Sequence, residues 1–128
     1  LRRALRPNAA FDPARAAAAV QDAMQRHVLV EKNEAGLGQA LSVVEEAAQA
    51  LAQGGNADVA TLPQALTVDN MATTAQIIVR ACLARRETRS GHYRTDYPER
   101  DDAQFGRAYA MQDAGGSARF QPIAYATA

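Results

Sequence analysis

The sequence predicts an all-α domain, an antiparallel three-helix bundle followed by an extended tail or a small β-hairpin. Three segments repeat apolar residues at helical spacing, and short stretches of turn residues separate them. Alanine supplies 30 of the 128 residues and aromatic residues only 5%, which favours close-packed helices over a β-sandwich. We expect a single domain over residues 1–128, with the bundle at about 12–87 and the loop and tail at 88–128.

The first helix is predicted to begin at Asp12-Pro13, after a basic, irregular lead-in over residues 1–10. Aspartate is a good N-cap, and proline at the first helical position sacrifices no hydrogen bond. The helix should continue to about Arg26 and be followed by an apolar patch at 28–30 and a turn at 31–34. Its predicted apolar face consists of Ala16, Val20, Ala23, Met24 and His27.

The second helix is predicted from about Gly36 to Ala52, because apolar residues there alternate four and three apart. Gly54-Gly55-Asn56 should end it, since these residues tolerate left-handed backbone. Its predicted buried stripe is Leu37, Leu41, Val44, Ala48 and Leu51.

The third and longest helix is predicted from about Pro63 to Arg86. Thr61 and Gln64 match a capping box, with Pro63 inside the first turn. The predicted buried stripe is Leu66, Met71, Ala75, Ile78 and Cys82, widened by Ile77, Ala81 and Leu83.

The helical pattern stops after the third helix. Ser90-Gly91 breaks it, and Tyr97-Pro98 favours extended backbone. Further on, residues 107–112 and 118–123 flank the turn-like stretch 113–117. This arrangement predicts a small hairpin.

Charge and composition exclude several classes of protein. Fourteen basic and fourteen acidic residues cancel, so no overall charge favours nucleic acid or an anionic membrane as partner. A single cysteine, Cys82, excludes an internal disulfide and a cysteine-rich zinc site. No run of eighteen apolar residues exists, so we expect no direct insertion into a membrane.

No catalytic, cofactor-binding or metal-ligating residue is assigned from the sequence. Gly36-Leu37-Gly38 lacks the third glycine and the preceding strand of a dinucleotide-binding motif. His27 and His92 are not spaced as a metal pair, and His27 suits a helix end or the edge of the core. Cys82 is interpreted as a small core residue, and Asp101-Asp102 as part of a solvated turn.

One segment, residues 85–102, combines arginines with tyrosine, histidine, proline and carboxylates directly after a helix end. Arg, Tyr and His bury an apolar body while offering directed hydrogen bonds, which is typical of interfaces. The alternative is a loop that arginine–carboxylate pairs hold against its own bundle. The two interpretations are compatible, and the sequence leaves both open.

The stretch from Asn70 to Asp102 resembles the C-terminal region of succinate dehydrogenase and fumarate reductase flavoprotein subunits, and of the related L-aspartate oxidase. That pattern has an asparagine opening a long helix, then Arg-x-Glu-Ser-Arg-Gly-x-His, an acidic-Tyr-Pro step and Glu-Arg-Asp-Asp. The matching positions are Asn70, Arg85 or Arg86, Glu87, Thr88, Arg89, Ser90, His92, Asp96-Tyr97-Pro98 and Glu99-Arg100-Asp101-Asp102. Thr88 replaces the serine, and Ser90-Gly91 stands where glycine usually comes first.

The resemblance implies an FAD-dependent enzyme that moves a hydride between a dicarboxylate, or an amino-dicarboxylate, and the flavin. FAD would bind the rest of the full-length protein, and this fragment would bind no cofactor. The implied partners are the flavin-binding domain of its own chain and an iron–sulfur subunit. The implied docking residues are Arg86, Glu87, Arg89, His92, Arg94 and Asp96.

Three functions therefore remain at this point. The favoured one is the C-terminal helical domain of a succinate dehydrogenase or fumarate reductase flavoprotein, with a structural and docking role and no catalysis by itself. The alternatives are the corresponding domain of L-aspartate oxidase, an enzyme of NAD biosynthesis, and a stand-alone protein-interaction module. The expected location is cytoplasmic, with peripheral attachment to the inner face of the cytoplasmic membrane through partner subunits.

Overall fold

A computed structural model describes residues 11–54 and 60–106, together with the backbone of residues 109–114 and 117–122. The predicted lead-in at 1–10, the helix end at Gly55-Asn56 and the middle of the hairpin turn lie outside these residues. Along the described chain the elements are α1 (Pro13–His27), β1 (Glu31–Lys32), α2 (Glu34–Gln53), α3 (Leu62–Ala84), β2 (Tyr93–Arg94), α4 (Asp102–Phe105), β3 (Tyr109–Ala114) and β4 (Ser117–Pro122).

The first two helices begin at side-chain caps. Asp12 Oδ1 accepts hydrogen bonds from the amides of Ala14 and Arg15 at 3.0 and 3.1 Å, which confirms the predicted cap. Asn33 Oδ1 accepts one from the Gly36 amide at 2.8 Å, so α2 begins two residues before the predicted start.

The predicted capping box of α3 is wrong. Thr61 precedes the helix, but its side chain makes no capping hydrogen bond. Its backbone, at φ −100° and ψ −7°, lacks the extended conformation that capping residues adopt. The helix ends at Ala84, two residues earlier than predicted, because Arg85 is already extended.

Three groups of buried side chains fix the direction of the helices. Phe11, before α1, packs with Leu51 at the end of α2 and Val68 near the start of α3. At the other end, Val28 packs with Leu37 and Val79. Consecutive helices are therefore antiparallel, which confirms the predicted all-α bundle.

The buried face of α3 differs from the predicted stripe. Ile78, predicted to lie in the core, is 41% exposed, and Leu66, Met71 and Cys82 are half-buried. The observed buried residues alternate three and four apart: Ala65, Val68, Ala72, Ala75 and Val79. Small side chains allow α3 to approach its neighbours closely, so the larger apolar residues lie at the margins of the contact. In α2, Ala40 and Ala47 are buried in place of the predicted Leu41 and Ala48, while Leu37, Val44 and Leu51 are buried as predicted.

Two pairs of strands complete the described fold. β1 and β2 pair in parallel, with Glu31 opposite Tyr93 and Lys32 opposite Arg94, so the turn predicted at 31–34 is wrong. Nearby residues do not reveal strand β1, since its partner strand lies some sixty residues further along the chain. β3 and β4 form the predicted antiparallel hairpin, and β4 contacts α3.

Among the described helices, none is both long enough and apolar enough to span a bilayer.

Candidate functional site: the arginine loop

The segment singled out in the sequence, residues 85–102, is here called the arginine loop. It leaves the C-terminal end of α3, forms strand β2 beside β1 and ends at the start of α4. Two buried charged side chains, Glu87 and Arg94, organise it, and each is completely inaccessible to solvent.

Glu87 is the centre of the first part of the loop. Its carboxylate accepts hydrogen bonds from Arg89 Nε at 2.8 Å and Arg89 Nη2 at 2.9 Å. Arg85 Nε and the Asp101 amide each donate a further bond at 3.0 Å. The bonds from Arg89 lower the pKa of Glu87 from 4.5 to about 2, outweighing the opposing effect of burial. Glu87 is therefore a carboxylate that joins both ends of the loop.

Arg89 extends this network to the solvent-exposed side of the loop. Its Nη2 donates to Asp102 Oδ1 at 2.7 Å, and Arg100 Nε donates to the same oxygen at 2.7 Å. The contacts with Glu87 and Asp102 raise the pKa of the Arg89 guanidinium and those with Arg89 and Arg100 lower the pKa of Asp102. The start of α4 is thereby tied to the loop.

Arg94 is the centre of the second part. Its Nε and Nη2 donate to the two carboxylate oxygens of Asp96, both at 2.7 Å, in a bidentate pair. Its Nη1 donates to the carbonyl of Cys82 in α3 at 2.7 Å, and its guanidinium carbon lies 4.9 Å from the centre of the Tyr97 ring. Every part of the guanidinium is thus engaged within the chain.

Asp96 connects the loop to the start of α2. Its Oδ2 accepts a hydrogen bond from the Glu34 amide at 2.8 Å, and the Thr95 amide donates to the Lys32 carbonyl at 2.9 Å. The bonds from Arg94 are the main reason that the pKa of Asp96 falls from 3.8 to about 2. The loop is therefore fastened to two helices, α2 and α3.

Lys32 is a structural residue that sequence reasoning missed. It is 4% exposed, and its Nζ donates to the carbonyls of Leu29, Val30 and Gly91 at 3.0, 2.9 and 3.3 Å. It is the only lysine beside thirteen arginines, a signal that could have singled it out. A flexible stem with three donors suits convergent carbonyls better than a planar guanidinium does.

His92 and Cys82 lie beside this cluster of cations without forming a catalytic arrangement. His92 Nε2 lies 3.1 Å from the Arg85 carbonyl, and burial is the main cause of its lowered pKa. Burial also raises the pKa of the Cys82 thiol, which disfavours the reactive thiolate. Over the described part of the chain, no group of three His, Cys, Asp or Glu residues could hold a metal ion.

The predicted docking residues differ in how far they are exposed to solvent. Glu87 and Arg94 are buried, Arg89 and His92 are half-buried, and 29% of the Asp96 side chain is exposed. All five make hydrogen bonds within the chain, as the stapled-loop interpretation requires. Docking through any of them stays a prediction.

Arg86 and Tyr93 are two of the exposed side chains of the loop. Arg86 is exposed, with its guanidinium carbon 6.0 Å from the Tyr97 ring centre. Tyr93 is 40% exposed. These residues can contact a partner without breaking the buried network.

The backbone at Ser90 explains why the family pattern usually has glycine at this position. Arg89 and His92 exchange two backbone hydrogen bonds, at 2.8 and 3.0 Å, around a tight turn with Ser90 and Gly91 at its tip. Ser90 has φ +53°, a left-handed conformation that favours glycine. Glycine at this position would relieve that strain.

The described residues do not fit a flavin dinucleotide at Gly36-Leu37-Gly38. These glycines lie in the first turns of α2, as predicted, and not in a loop between a strand and a helix. The amides of Glu34 and Gly36 are already bonded to Asp96 and Asn33, so they are not free for a pyrophosphate.

The fold and the site together define a helical-bundle domain whose distinctive feature is an internally paired arginine loop. The chain belongs to the family described as the fumarate reductase flavoprotein C-terminal region, whose model matches residues 17–127. The resemblance found in the motif around the arginine loop is thereby confirmed, and it extends over nearly the whole chain.

Two curated relatives match shorter stretches. Over 40 residues the chain is 55% identical to L-aspartate oxidase from Rhodospirillum rubrum, covering 31% of this chain and 14% of that protein. Over 38 residues it is 47% identical to one subunit of the fumarate reductase (CoM/CoB) of Methanothermobacter marburgensis, covering 30% and 7%. The matched stretches are thus a small part of much longer proteins.

The fold also matches a solved structure over most of its length. Adenylylsulfate reductase from Archaeoglobus fulgidus superposes with a TM-score of 0.76 and 25% sequence identity. The match covers 90% of this chain and 19% of that one.

Proposed function

We propose that this chain is the C-terminal domain of an FAD-dependent oxidoreductase and that it docks onto the flavin-binding part of the same protein. The family match over residues 17–127 supports the first statement. The observation that carries the second is the burial of Arg94, which holds the loop in one conformation while Arg86 and Tyr93 face outward.

The physical argument is preorganisation. A loop already fixed by Glu87, Arg94 and Asp96 loses little conformational entropy when it meets a partner. Arginine and tyrosine are also the side chains that dominate binding energy at interfaces. The buried network therefore acts on docking indirectly, by presenting Arg86 and Tyr93.

The proposed activity belongs to the whole protein. FAD bound by another part of the chain would exchange a hydride with a dicarboxylate such as succinate or fumarate. An iron–sulfur subunit is the proposed electron-transfer partner. The same resemblance supports a cytoplasmic protein that partner subunits hold at the inner membrane face.

The test is an alanine substitution of Arg86 in the full flavoprotein chain, compared with Arg15→Ala. Arg15 is an exposed arginine on α1, remote in sequence from the loop. We expect Arg86→Ala to weaken FAD retention by about tenfold, the scale of a moderate interface residue, and Arg15→Ala to leave it unchanged. Equal FAD retention in both variants would reject docking through the loop.

L-aspartate oxidase is the second candidate, and its 55% identity over 40 residues is the observation that favours it. The two candidates differ in substrate, an amino-dicarboxylate against a dicarboxylate. Reduction of the bound flavin by L-aspartate but not by succinate, measured from the loss of flavin absorbance, would decide for the oxidase. Reduction by succinate alone would decide for the dehydrogenase.

A further inference from the structure

A groove between α1 and α3 lies outside the arginine loop. It consists of two adjoining depressions of about 370 and 580 Å³. Both are bordered by Gln21, Met24 and Ile78, which makes them continuous. Ile78 is 41% exposed, although the sequence alone predicts it in the core.

None of the described residues that line this groove carries a charge. Its polar members are amides and a hydroxyl, such as Gln21, Asn70 and Thr74, and its apolar members include Met24 and Met71. By contrast, the groove between α1 and α2 is bordered by Asp12, Arg15 and Glu46. Depletion of charge and enrichment in methionine are features of interface cores, whereas a surface facing water normally carries charges.

The groove ends beside the arginine loop. Leu29, at its end, is 65% exposed, and its carbonyl is bonded to Lys32 Nζ. The same ammonium is bonded to the Gly91 carbonyl, two residues before Tyr93. Lys32 therefore joins the end of the groove to the loop.

We propose that this uncharged groove is the principal docking site for the flavin-binding part of the same protein, and that it receives an apolar, uncharged segment of that part. The inference rests on the proposed function and adds the face that docks. In L-aspartate oxidase and the fumarate reductase subunit, the matched region is only 7 to 14% of the protein, so most of each chain lies outside it. A tethered partner is present at high effective concentration, which favours it over a second copy.

The experiment compares two neighbouring isoleucines of α3 in the full flavoprotein chain. Ile78 borders the groove, whereas Ile77 lies about 100° around the helix and does not border it. Their exposures are similar, 41% and 37%, so they form a matched pair. We expect Ile78→Glu to lower the melting temperature of the holoprotein by about 3 °C or more and Ile77→Glu to change it by less than about 1 °C.

A second pair lies outside the helices. Leu29 borders the groove and its neighbour Val30 does not, and their exposures are 65% and 62%. We expect Leu29→Glu to accelerate FAD loss by about tenfold and Val30→Glu to leave it unchanged. Since both carbonyls bind Lys32, this pair controls for damage to that contact.

Equal effects within both pairs would overturn the proposal. Dissociation of an oligomer by Ile78→Glu and Leu29→Glu, with FAD retention intact in size-exclusion chromatography, would also overturn it and assign the groove to a second copy. If Arg86→Ala weakens FAD retention while the groove variants do not, the proposed function survives and only the groove assignment fails.

Discussion

Arg94 Nη2 lies 2.7 Å from Asp96 Oδ2, and the Arg94 side chain has no contact with solvent. A buried charge is costly unless it is paired and its remaining donors are bonded. Asp96 accepts two donors of the guanidinium, and the Cys82 carbonyl accepts a third. The fold thus depends on one arginine that connects the loop to α3 and, through Asp96, to α2.

Replacing Arg94 with lysine should destabilise the chain by about 3–5 kcal/mol. Lysine cannot form the bidentate pair, so Asp96 would keep the Glu34 amide but lose the guanidinium fork, and the Cys82 carbonyl would lose its bond from Nη1. Urea denaturation followed by circular dichroism measures the change. Arg26→Lys is the control, because Arg26 forms an exposed pair with Asp22 and should change stability by about 0.5 kcal/mol or less. Similar losses in both variants would contradict the assigned role of Arg94.

Stability should fall in acid through protonation of Glu87. Its pKa is about 2 in the folded protein, below the ordinary 4.5, so the carboxylate form stabilises the fold. That contribution is complete above pH 4.5 and is lost as the pH falls towards 2. Urea midpoints measured between pH 2 and 6 should show this slope, and Glu87→Gln should reduce it. An unchanged slope in the variant would assign acid sensitivity to other groups, Asp96 first among them.

Ser90→Gly should stabilise the protein by about 0.5–1 kcal/mol, since glycine adopts positive φ without steric cost. Ser42→Gly is the matched control, because Ser42 lies within helix α2. There glycine should destabilise by a similar amount. Thermal melts show whether each substitution raises or lowers the stability. A loss of stability in Ser90→Gly would contradict the strain assigned to this turn.

Leu37→Ala should cost about 2–5 kcal/mol, because Leu37 is fully buried between the helices. Ile78→Ala should cost about 1 kcal/mol or less in the 128-residue chain, where Ile78 is partly exposed. Urea denaturation ranks the two. Equal losses of stability would contradict the partly exposed position of Ile78 and support the core position that the sequence pattern predicts.

Local signals were enough to predict the order of the three long helices and the hairpin. The Asp12-Pro13 start, the glycine after α2 and the hairpin near the end are each encoded by a few neighbouring residues. The motif around Glu87 and His92 likewise indicated the family, which the match over residues 17–127 confirms.

The sequence by itself therefore determined the three long helices, their approximate bounds and the family, since these depend on local propensity and on short motifs. Only the tertiary structure decided that Val79 and not Ile78 faces the core, because α3 carries apolar residues on several faces and close packing selects the small ones. It also decided the buried positions of Lys32 and Arg94. Lys32 bonds the Gly91 carbonyl 59 residues away, and Asp96, the partner of Arg94, bonds the Glu34 amide 62 residues away. A parallel strand pair brings these segments together over a distance at which no local pattern acts.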